Sequence, residues 1–363
     1  MASPDSNKKG QIGPGDRARQ EAVSRIRTAQ SIDMSATQWA ERIHNGERDA
    51  LSQAITLSES QKIEDLQRLD AVLLALRKNF PKTESHRIGI TGVPGVGKST
   101  FIEQLGKGII DENHRLAVLA IDPSSGRSGG SILGDKTRME TLTREPNAFV
   151  RPSPTADTLG GVTRGTFEAI ELCEAAGFDR IIIETVGVGQ SETAVRDLTD
   201  VFILLMLPGG GDELQGIKRG IMEMADLLLV NKCDSGREPL AQETAMQYRK
   251  ALHLFPPNQG GHEVQVQTVS ALNNQGIDST MAHIQELIDT WQTNGWLNHQ
   301  RSNQRIRQFE NQIQRLSFMR DRGSEHAAET WSALVRQVAE GTLTPLNAAH
   351  LWQARGRKTS ASR

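Results

Sequence analysis

Between residues 92 and 100 the sequence GVPGVGKST places glycines, a lysine and a hydroxyl at the spacing that phosphate binding requires. It matches the pattern G-x-x-x-x-G-K-[ST] and lies between an apolar run and a helical stretch. Glycines let successive backbone N–H groups point inward at phosphate oxygens, and the start of the helix adds positive potential. Lys98 can neutralise charge on the β- and γ-phosphates, while the Ser99 hydroxyl can reach a Mg²⁺ ion. The predicted nucleotide contacts are Gly92, Val93, Pro94, Gly95, Val96, Gly97, Lys98, Ser99 and Thr100.

A second motif, NKCD at residues 231–234, follows an apolar run and predicts which base is bound. The Asp234 carboxylate can accept hydrogen bonds from N1–H and the exocyclic amine of guanine, whereas adenine offers no matching pair of donors. A buried carboxylate left unpaired would disfavour the wrong base by roughly 10⁴-fold. Asn231 and Lys232 would brace the loop and cover the ring, although four residues alone also fit an ordinary polar turn. The predicted second element of the base pocket is Ser270, Ala271 and Leu272, where a backbone N–H can donate to guanine O6.

Three carboxylates stand at predicted strand or loop ends, namely Asp122, Asp135 and Glu184. Mg²⁺ prefers oxygen ligands in near-octahedral geometry, so Ser99 and these three carboxylates are the predicted metal ligands. Glu184 stands where most guanine-nucleotide switches carry Asp in the pattern D-x-x-G, and we expect its longer side chain to act on the metal through water. For each carboxylate the alternative is a helix cap or a solvated turn.

The segment that begins at Glu184 also contains a candidate γ-phosphate sensor. Gly187 can present its backbone N–H to the γ-phosphate, and loss of that contact on hydrolysis would release its loop. Which residue orients the attacking water stays open among Gln190, Asp135 and Glu184. Together with Lys98 these three residues form the predicted catalytic group.

The elements that must position these residues begin at residue 87, where short apolar runs start to alternate with helical stretches. This alternation predicts an α/β fold with a mostly parallel sheet flanked by helices, plus helical extensions at both ends. Together with the phosphate-binding motif at 92–100, it indicates a P-loop nucleotide hydrolase. Such sheets bind ligands beyond the carboxyl ends of their strands, where the motifs lie. The predicted strands are 87–91, 116–121, 180–184, 201–207, 227–231 and 264–269; the predicted helices are 98–112, 135–144, 159–176, 192–199, 239–254 and 277–293.

Outside this core the chain divides into three further segments. The core, residues 85–294, is the predicted GTPase domain. The other three segments are a predicted disordered tail at 1–20, an N-terminal helical extension at 21–84 and a C-terminal helical arm at 295–363. In the extension an apolar face recurs at helical spacing until Pro81 ends the helix. The arm carries one apolar stripe, which either packs on its own domain or forms a dimer contact. The extension's face is Leu66, Leu69, Leu73 and Leu76; the arm's stripe is Trp331, Leu334, Val335 and Val338.

Composition narrows the functional classes. With 42 Lys+Arg against 44 Asp+Glu, the net charge of −2 argues against a dedicated nucleic-acid binder. The longest apolar runs fall far short of the about 20 residues that cross a bilayer, and the N-terminus lacks the apolar core of a secretory signal. Two cysteines rule out a disulfide framework. We therefore expect a cytoplasmic protein without membrane insertion.

Six stretches resemble the MeaB/ArgK family, whose members are P-loop GTPases that act as chaperones for adenosylcobalamin-dependent methylmalonyl-CoA mutase. The resemblance spans about residues 40–295 and is most specific between 92 and 234. It implies a metallochaperone-like G protein that hydrolyses GTP while assisting cofactor loading and protection or reactivation of the mutase. The stretches are GVPGVGKST (92–100), IDPSS (121–125), GGSILGDKTRM (129–139), ETVGVGQSE (184–192), GGGDELQGIKRG (209–220) and NKCD (231–234).

The resemblance also implies a homodimer joined by the C-terminal arm, GTP and GDP as ligands, Mg²⁺ as cofactor, and a third switch at 208–220. Asp212, Gln215 and Lys218 would there touch the mutase or the partner protomer. Residues 84–89, ESHRIG, only nearly match the cobalamin-binding pattern D-x-H-x-x-G, so we expect this chain to meet cobalamin only through its partner. The alternatives are a nucleotide-dependent protein kinase or ATPase of the ArgK type, for which no acceptor site is evident, and a scaffold that never cleaves its nucleotide.

Overall fold

A seven-stranded parallel sheet forms the centre of the molecule, which confirms the predicted α/β class. The computed structural model describes residues 34–60, 62–81, 83–122, 139–154, 165–185, 192–209, 219–256, 260–322, 325–339, 343, 348 and 351–352. The strands are β1 (His86–Gly92), β2 (Leu116–Asp122), β3 (Ala148–Pro154), β4 (Arg180–Thr185), β5 (Val201–Met206), β6 (Leu227–Val230) and β7 (Gln265–Thr268). Their order across the sheet is β3-β2-β4-β1-β5-β6-β7.

Helices cover both faces of this sheet, and every residue of β5 is apolar and buried. No described helix is long and apolar enough to cross a membrane. The described helices are α1 (Ala36–His44), α2 (Arg48–Ser58), α3 (Ile63–Asn79), α4 (Lys98–Asp111), α5 (Glu140–Arg144), α6 (Thr166–Ala175), α7 (Glu192–Arg196), α8 (Arg219–Met224), α9 (Glu238–Leu252), α10 (Ile277–Thr293), α11 (Trp296–Arg322) and α12 (Glu325–Ala339).

One face of the sheet packs against α4 and α10. Phe101 and Leu105 of α4 share an apolar core with Ile288 and Trp291 of α10 and with Ile90 of β1. Because α4 starts directly after the loop that follows β1, this core fixes the direction in which α4 points its N-terminus. Burial of a large apolar side chain contributes about 1.5–3 kcal/mol, so the anchoring is substantial.

The N-terminal helices cover the opposite face together with α6. Trp39 of α1 is 2 % exposed, and its indole N–H donates to the Ala50 carbonyl of α2 at 3.2 Å. Leu69 and Leu76, which belong to the predicted apolar face, are buried in α3. The helix ends at Asn79, two residues before the proline that predicted its end. The N-terminal extension is thus part of the packed core of the described chain.

The first helix of the C-terminal arm, α11, is hydrogen-bonded to the amino edge of the sheet. Arg301 donates to both carboxylate oxygens of Asp200, at 2.8 and 2.6 Å, and Asp200 is 0 % exposed. Gln300 and Gln304 both donate to the Thr199 carbonyl, at 2.9 and 2.8 Å. The start of the arm therefore packs on the sheet through polar contacts.

The later part of the arm is less covered. Trp331 in α12 packs edge-on against Trp352, with ring centroids 5.1 Å apart. Val335, also in the predicted stripe, is 50 % exposed. The predicted apolar stripe of α12 is therefore only partly buried within the described chain.

One strand was not predicted. β3 contains Pro152 and Pro154, which cannot donate to a ladder and so argue against a strand. It lies at the end of the sheet, where it pairs only with β2 in the described structure. At that edge a proline can turn its missing donor toward the open side, which removes the objection.

Candidate functional site

The phosphate loop joins β1 to α4 at the middle of the sheet's carboxyl edge. Gly97 is the N-cap of α4 at φ +94°, a left-handed conformation that glycine adopts without strain. At Gly92 a Cβ would lie 2.5 Å from the Leu205 carbonyl oxygen, so no side chain fits there. The Lys98 ammonium donates to the Gly92 carbonyl at 2.8 Å and thus lies along the loop. This arrangement presents a helix N-terminus and a cation on one side of the loop, as a bound phosphate requires.

The Asn231 side chain connects the three loops of the site. Its amide nitrogen donates to the Val96 carbonyl of the phosphate loop at 2.8 Å, and its amide oxygen accepts from the Ala271 N–H at 3.1 Å. Asn231 is 1 % exposed, so both hydrogen bonds are shielded from water. A Cβ at Gly97 would come within 3.0 Å of the same amide nitrogen. The base loop, the phosphate loop and the turn at 270–272 are therefore held at fixed separations.

Lys232 makes a second link between the base loop and the phosphate loop. Its ammonium donates to the Gly95 carbonyl at 2.7 Å, while its backbone adopts φ +62°. The aliphatic stem therefore spans from one loop to the other. A stem in this position can cover one face of a planar base, as the sequence predicts.

The Asp234 carboxylate is buried and oriented by hydroxyls. One oxygen accepts from Ser270 Oγ at 2.5 Å and the other from Ser235 Oγ at 3.2 Å, and Asp234 is 8 % exposed. Each carboxylate oxygen has about two lone-pair sites, so each can accept a further donor. The sequence motif predicted a backbone role for residues 270–272; the orienting hydroxyl of Ser270 was not predicted, because motif spacing carries no side-chain direction.

The turn at 270–272 is itself held by its own donors. The Ala271 N–H is engaged by Asn231, and the Asn273 N–H donates to Ser270 Oγ at 3.2 Å. Leu272 is 71 % exposed at the tip. All three predicted residues therefore lie beside the base loop, and Ser270 and Ala271 fix the shape of the turn.

The predicted metal ligands that the structure describes lie next to the phosphate loop. Glu184, near the end of β4, is 4 % exposed and pairs with Ile90 of β1 and Ala120 of β2. Gly92 and Asp122 lie two residues beyond these pairing partners, so Glu184 is close to the ends of both strands. A buried carboxylate here and the Ser99 hydroxyl in the first turn of α4 supply oxygen donors, which fit Mg²⁺. The backbone of Asp122 ends β2 at the same edge; its side chain lies outside the described part of the chain.

Several predicted residues fall outside the described residues altogether and stay predictions. They belong to the metal and sensor loops, to the proposed third switch and to the N-terminal tail: Asp135, Gly187, Gln190, Asp212, Gln215, Lys218 and residues 1–20.

Comparisons with known proteins agree with this geometry. A family model described as methylmalonyl Co-A mutase-associated GTPase MeaB matches residues 51–326. The mouse protein named methylmalonic aciduria type A homolog, mitochondrial, is 46 % identical over 314 residues, which cover 84 % of this chain and 76 % of that one. GTPase ArgK of Escherichia coli (strain K12) is 40 % identical over 312 residues, covering 84 % and 91 %.

A solved structure extends the similarity to the fold. The crystal structure of a protein titled LAO/AO transport system kinase superposes with a TM-score of 0.66 at 32 % identity, covering 89 % of this chain and 97 % of that one. The family model, which is described as that of a GTPase, matches well over half of the chain, and the relative from Escherichia coli is named a GTPase. The prediction of a GTPase is therefore confirmed. The chain therefore belongs to the MeaB family of methylmalonyl-CoA mutase-associated P-loop GTPases.

Proposed function

We propose that this chain is a GTP-driven chaperone that assists adenosylcobalamin loading onto methylmalonyl-CoA mutase and the protection or reactivation of that enzyme. The family's description supports the association with the mutase. The guanine-dependent part is supported by one observation above all, the buried Asn231 brace that holds the base loop against the phosphate loop. A nucleotide that spans both loops is thereby gripped at the base and at the phosphates together.

In this proposal the phosphates lie against residues 92–100, with Lys98 moving from the Gly92 carbonyl to the β- and γ-phosphate oxygens. A bound Mg²⁺ would supply charge neutralisation between those phosphates. Ser99 and Glu184 would hold the metal directly or through water, with Asp122 and Asp135 as further ligands from the sequence. Glu184 is the one candidate for orienting the attacking water whose side chain the described structure contains; Asp135 and Gln190 remain the others.

Base selection in the proposal falls to Asp234. Its two oxygens accept from N1–H and the amine of guanine, while an N–H of the turn at 270–272 donates to O6. The Ser270 hydroxyl, 2.5 Å from one carboxylate oxygen, holds the carboxylate plane in place. Adenine would forgo both charge-assisted hydrogen bonds to the buried carboxylate, which costs several kcal/mol.

We further propose that the chain works as a homodimer through its arm. On α11, three large apolar side chains recur at helical spacing and are more than half exposed: Ile306 at 54 %, Phe309 at 65 % and Ile313 at 51 %. An exposed apolar stripe on a long helix is typical of a protein contact. A second copy would bury the stripe in a contact like that of two packed helices.

The chaperone proposal is tested with the purified mutase from the same host. We expect the mutase to bind the chain and to change its GTP turnover, and we expect GTP hydrolysis to be needed for retention of active mutase over many turnovers. Lys98→Ala, which lacks the phosphate-binding cation, should bind the mutase without protecting it. A mutase that neither binds nor changes GTP turnover would overturn the proposal.

A kinase is the second candidate, because the superposed solved structure is that of a protein named a kinase. A kinase needs a group that accepts the proton of an acceptor hydroxyl, next to a site that seats the acceptor. With γ-labelled GTP, we expect the label to appear only in inorganic phosphate. Label on a protein or a small molecule would favour the kinase.

A further inference from the structure

We infer that Thr91 and Thr185 act as a positioning pair that sets the Glu184 carboxylate against the phosphate loop during GTP hydrolysis. The inference rests on the proposed function, since it concerns the same nucleotide site. It assigns a role to two side chains that have none in the motif-based description.

The two threonines are joined by a buried hydrogen bond. The Thr185 hydroxyl donates to the Thr91 hydroxyl oxygen at 2.8 Å, and both residues are 0 % exposed. This distance is the usual one for an O–H···O bond. Because burial shields it from water, the bond does not compete with solvent, and breaking it would leave a hydroxyl without a partner.

The position of the bond in the sheet gives it its importance. The backbone ladder between β1 and β4 ends at the pair Ile90–Glu184. The next residue on each strand is a threonine, and immediately beyond lie Gly92 of the phosphate loop and residue 186 of the sensor segment. The hydroxyl bond is therefore the last described link between β1 and β4, and Thr185 directly follows Glu184.

Packing of the core does not explain why both positions carry a hydroxyl group. Valine has nearly the shape of threonine and suits the interior of a buried sheet equally well, without a polar group to satisfy. Threonine adds direction: its β-branched side chain is stiff about χ1, so a bond between two threonines fixes the separation of the strand ends. The buried carboxylate of Glu184, which directly precedes Thr185, depends on that separation.

Misplacement of a reacting group by about 1 Å can lower a rate about 10²-fold. We therefore expect Thr91→Val and Thr185→Val each to lower kcat for GTP hydrolysis about 10-fold or more, with the KM for GTP and the Kd for GDP changed less than about 3-fold. The double valine variant should be no slower than the slower single variant, because each single change already removes the same bond. Thr185→Ser keeps the hydroxyl and should retain most of kcat.

Thr199→Val is the matched control. Thr199 is also 0 % exposed and donates to the Val195 carbonyl at 3.0 Å, but it lies at the amino edge of the sheet. Its loss should affect thermal unfolding and leave kcat near that of the parent. This control separates the general cost of a lost buried hydroxyl from the loss of the positioning bond.

A binding measurement completes the test without relying on turnover. With fluorescent nucleotides, the two single valine variants should bind a non-hydrolysable GTP analogue more weakly relative to GDP, since only the analogue carries the γ-phosphate beside which Glu184 would hold the metal or the water. Unchanged kcat and an unchanged analogue-to-GDP ratio would overturn the inference, as would an equal fall of kcat in Thr199→Val. If either single variant does not fold, the double variant, which leaves no orphaned hydroxyl, decides by the same two readouts. A parent protein that fails to bind GTP would instead contradict the proposed function.

Discussion

Asp234→Asn should exchange guanine for xanthine as the preferred base. In the parent, the carboxylate is 8 % exposed and held by Ser270 Oγ at 2.5 Å, so it cannot turn away from a bound base without losing that contact. The amide keeps the shape but replaces one acceptor with a donor. It would therefore face the guanine amine donor to donor, whereas xanthine offers a carbonyl oxygen at that position.

The size of the effect follows from the number of hydrogen bonds. The parent carboxylate is placed to accept two, and a hydrogen bond to a charged group contributes about 1.5–3 kcal/mol. Two such bonds amount to about 3–6 kcal/mol, which is about 10²- to 10⁴-fold in Kd. We expect GTP affinity to fall by a factor in this range and xanthosine triphosphate to become the tighter ligand.

The assay is competition of GTP and xanthosine triphosphate against one fluorescent nucleotide, with thermal unfolding as the check on folding. Ser270→Ala is the control: it removes the hydroxyl that holds the carboxylate, so it should weaken guanine binding without making xanthine preferred. If Asp234→Asn folds and still prefers guanine, another residue reads the base and the reasoning is refuted.

Three further outcomes follow from the described contacts. Lys98→Ala should lower the rate of GTP hydrolysis about 10²-fold or more, because the cation that faces the phosphates is lost. The rate is measured as phosphate release, and thermal unfolding should change little. An unaltered rate would show that Lys98 has no part in the mechanism. Phe309→Asp places a charge on the exposed stripe of α11 and should shift the chain toward monomer in sedimentation without loss of GTP hydrolysis. The control Glu310→Gln should leave the dimer intact. If Phe309→Asp remains a dimer, the contact lies elsewhere. Burial alone would raise the pKa of Asp200, but the hydrogen bonds and charge of Arg301 outweigh it and hold that pKa below its ordinary value. A lowered carboxyl pKa gives stability that is present above about pH 4 and is lost as the pH falls below it. In urea unfolding, the parent should therefore lose stability on acidification more steeply than Asp200→Asn. Parallel stability curves for the two proteins would contradict the ion pair's role.

Much of the sheet could be predicted because its strands are buried on both faces. Runs such as 201–207 and 227–230 are continuously apolar and short, which helical patterning does not produce. The exception, β3, has prolines that only an edge position tolerates, and the edge is a property of the whole sheet. No local pattern could therefore have predicted it.

The candidate site, like the sheet, could be predicted only in part. The motif residues were predictable because phosphate and guanine dictate residue types at fixed spacing, and the structure brings Lys98, Asn231 and Asp234 to one edge of the sheet. The contacts between motifs were not. Ser270 reaches Asp234 across 36 residues and Arg301 reaches Asp200 across 101, distances at which only tertiary packing selects partners.

Calorimetric titration of the chain with GTP, GDP and ATP in the presence of magnesium tests most directly whether one site selects a guanine nucleotide. We predict that GTP and GDP bind with measurable heat at a single site per chain, and that ATP binds at least about 10³-fold more weakly. Equal affinities for ATP and GTP, or no heat with GTP, would contradict the account.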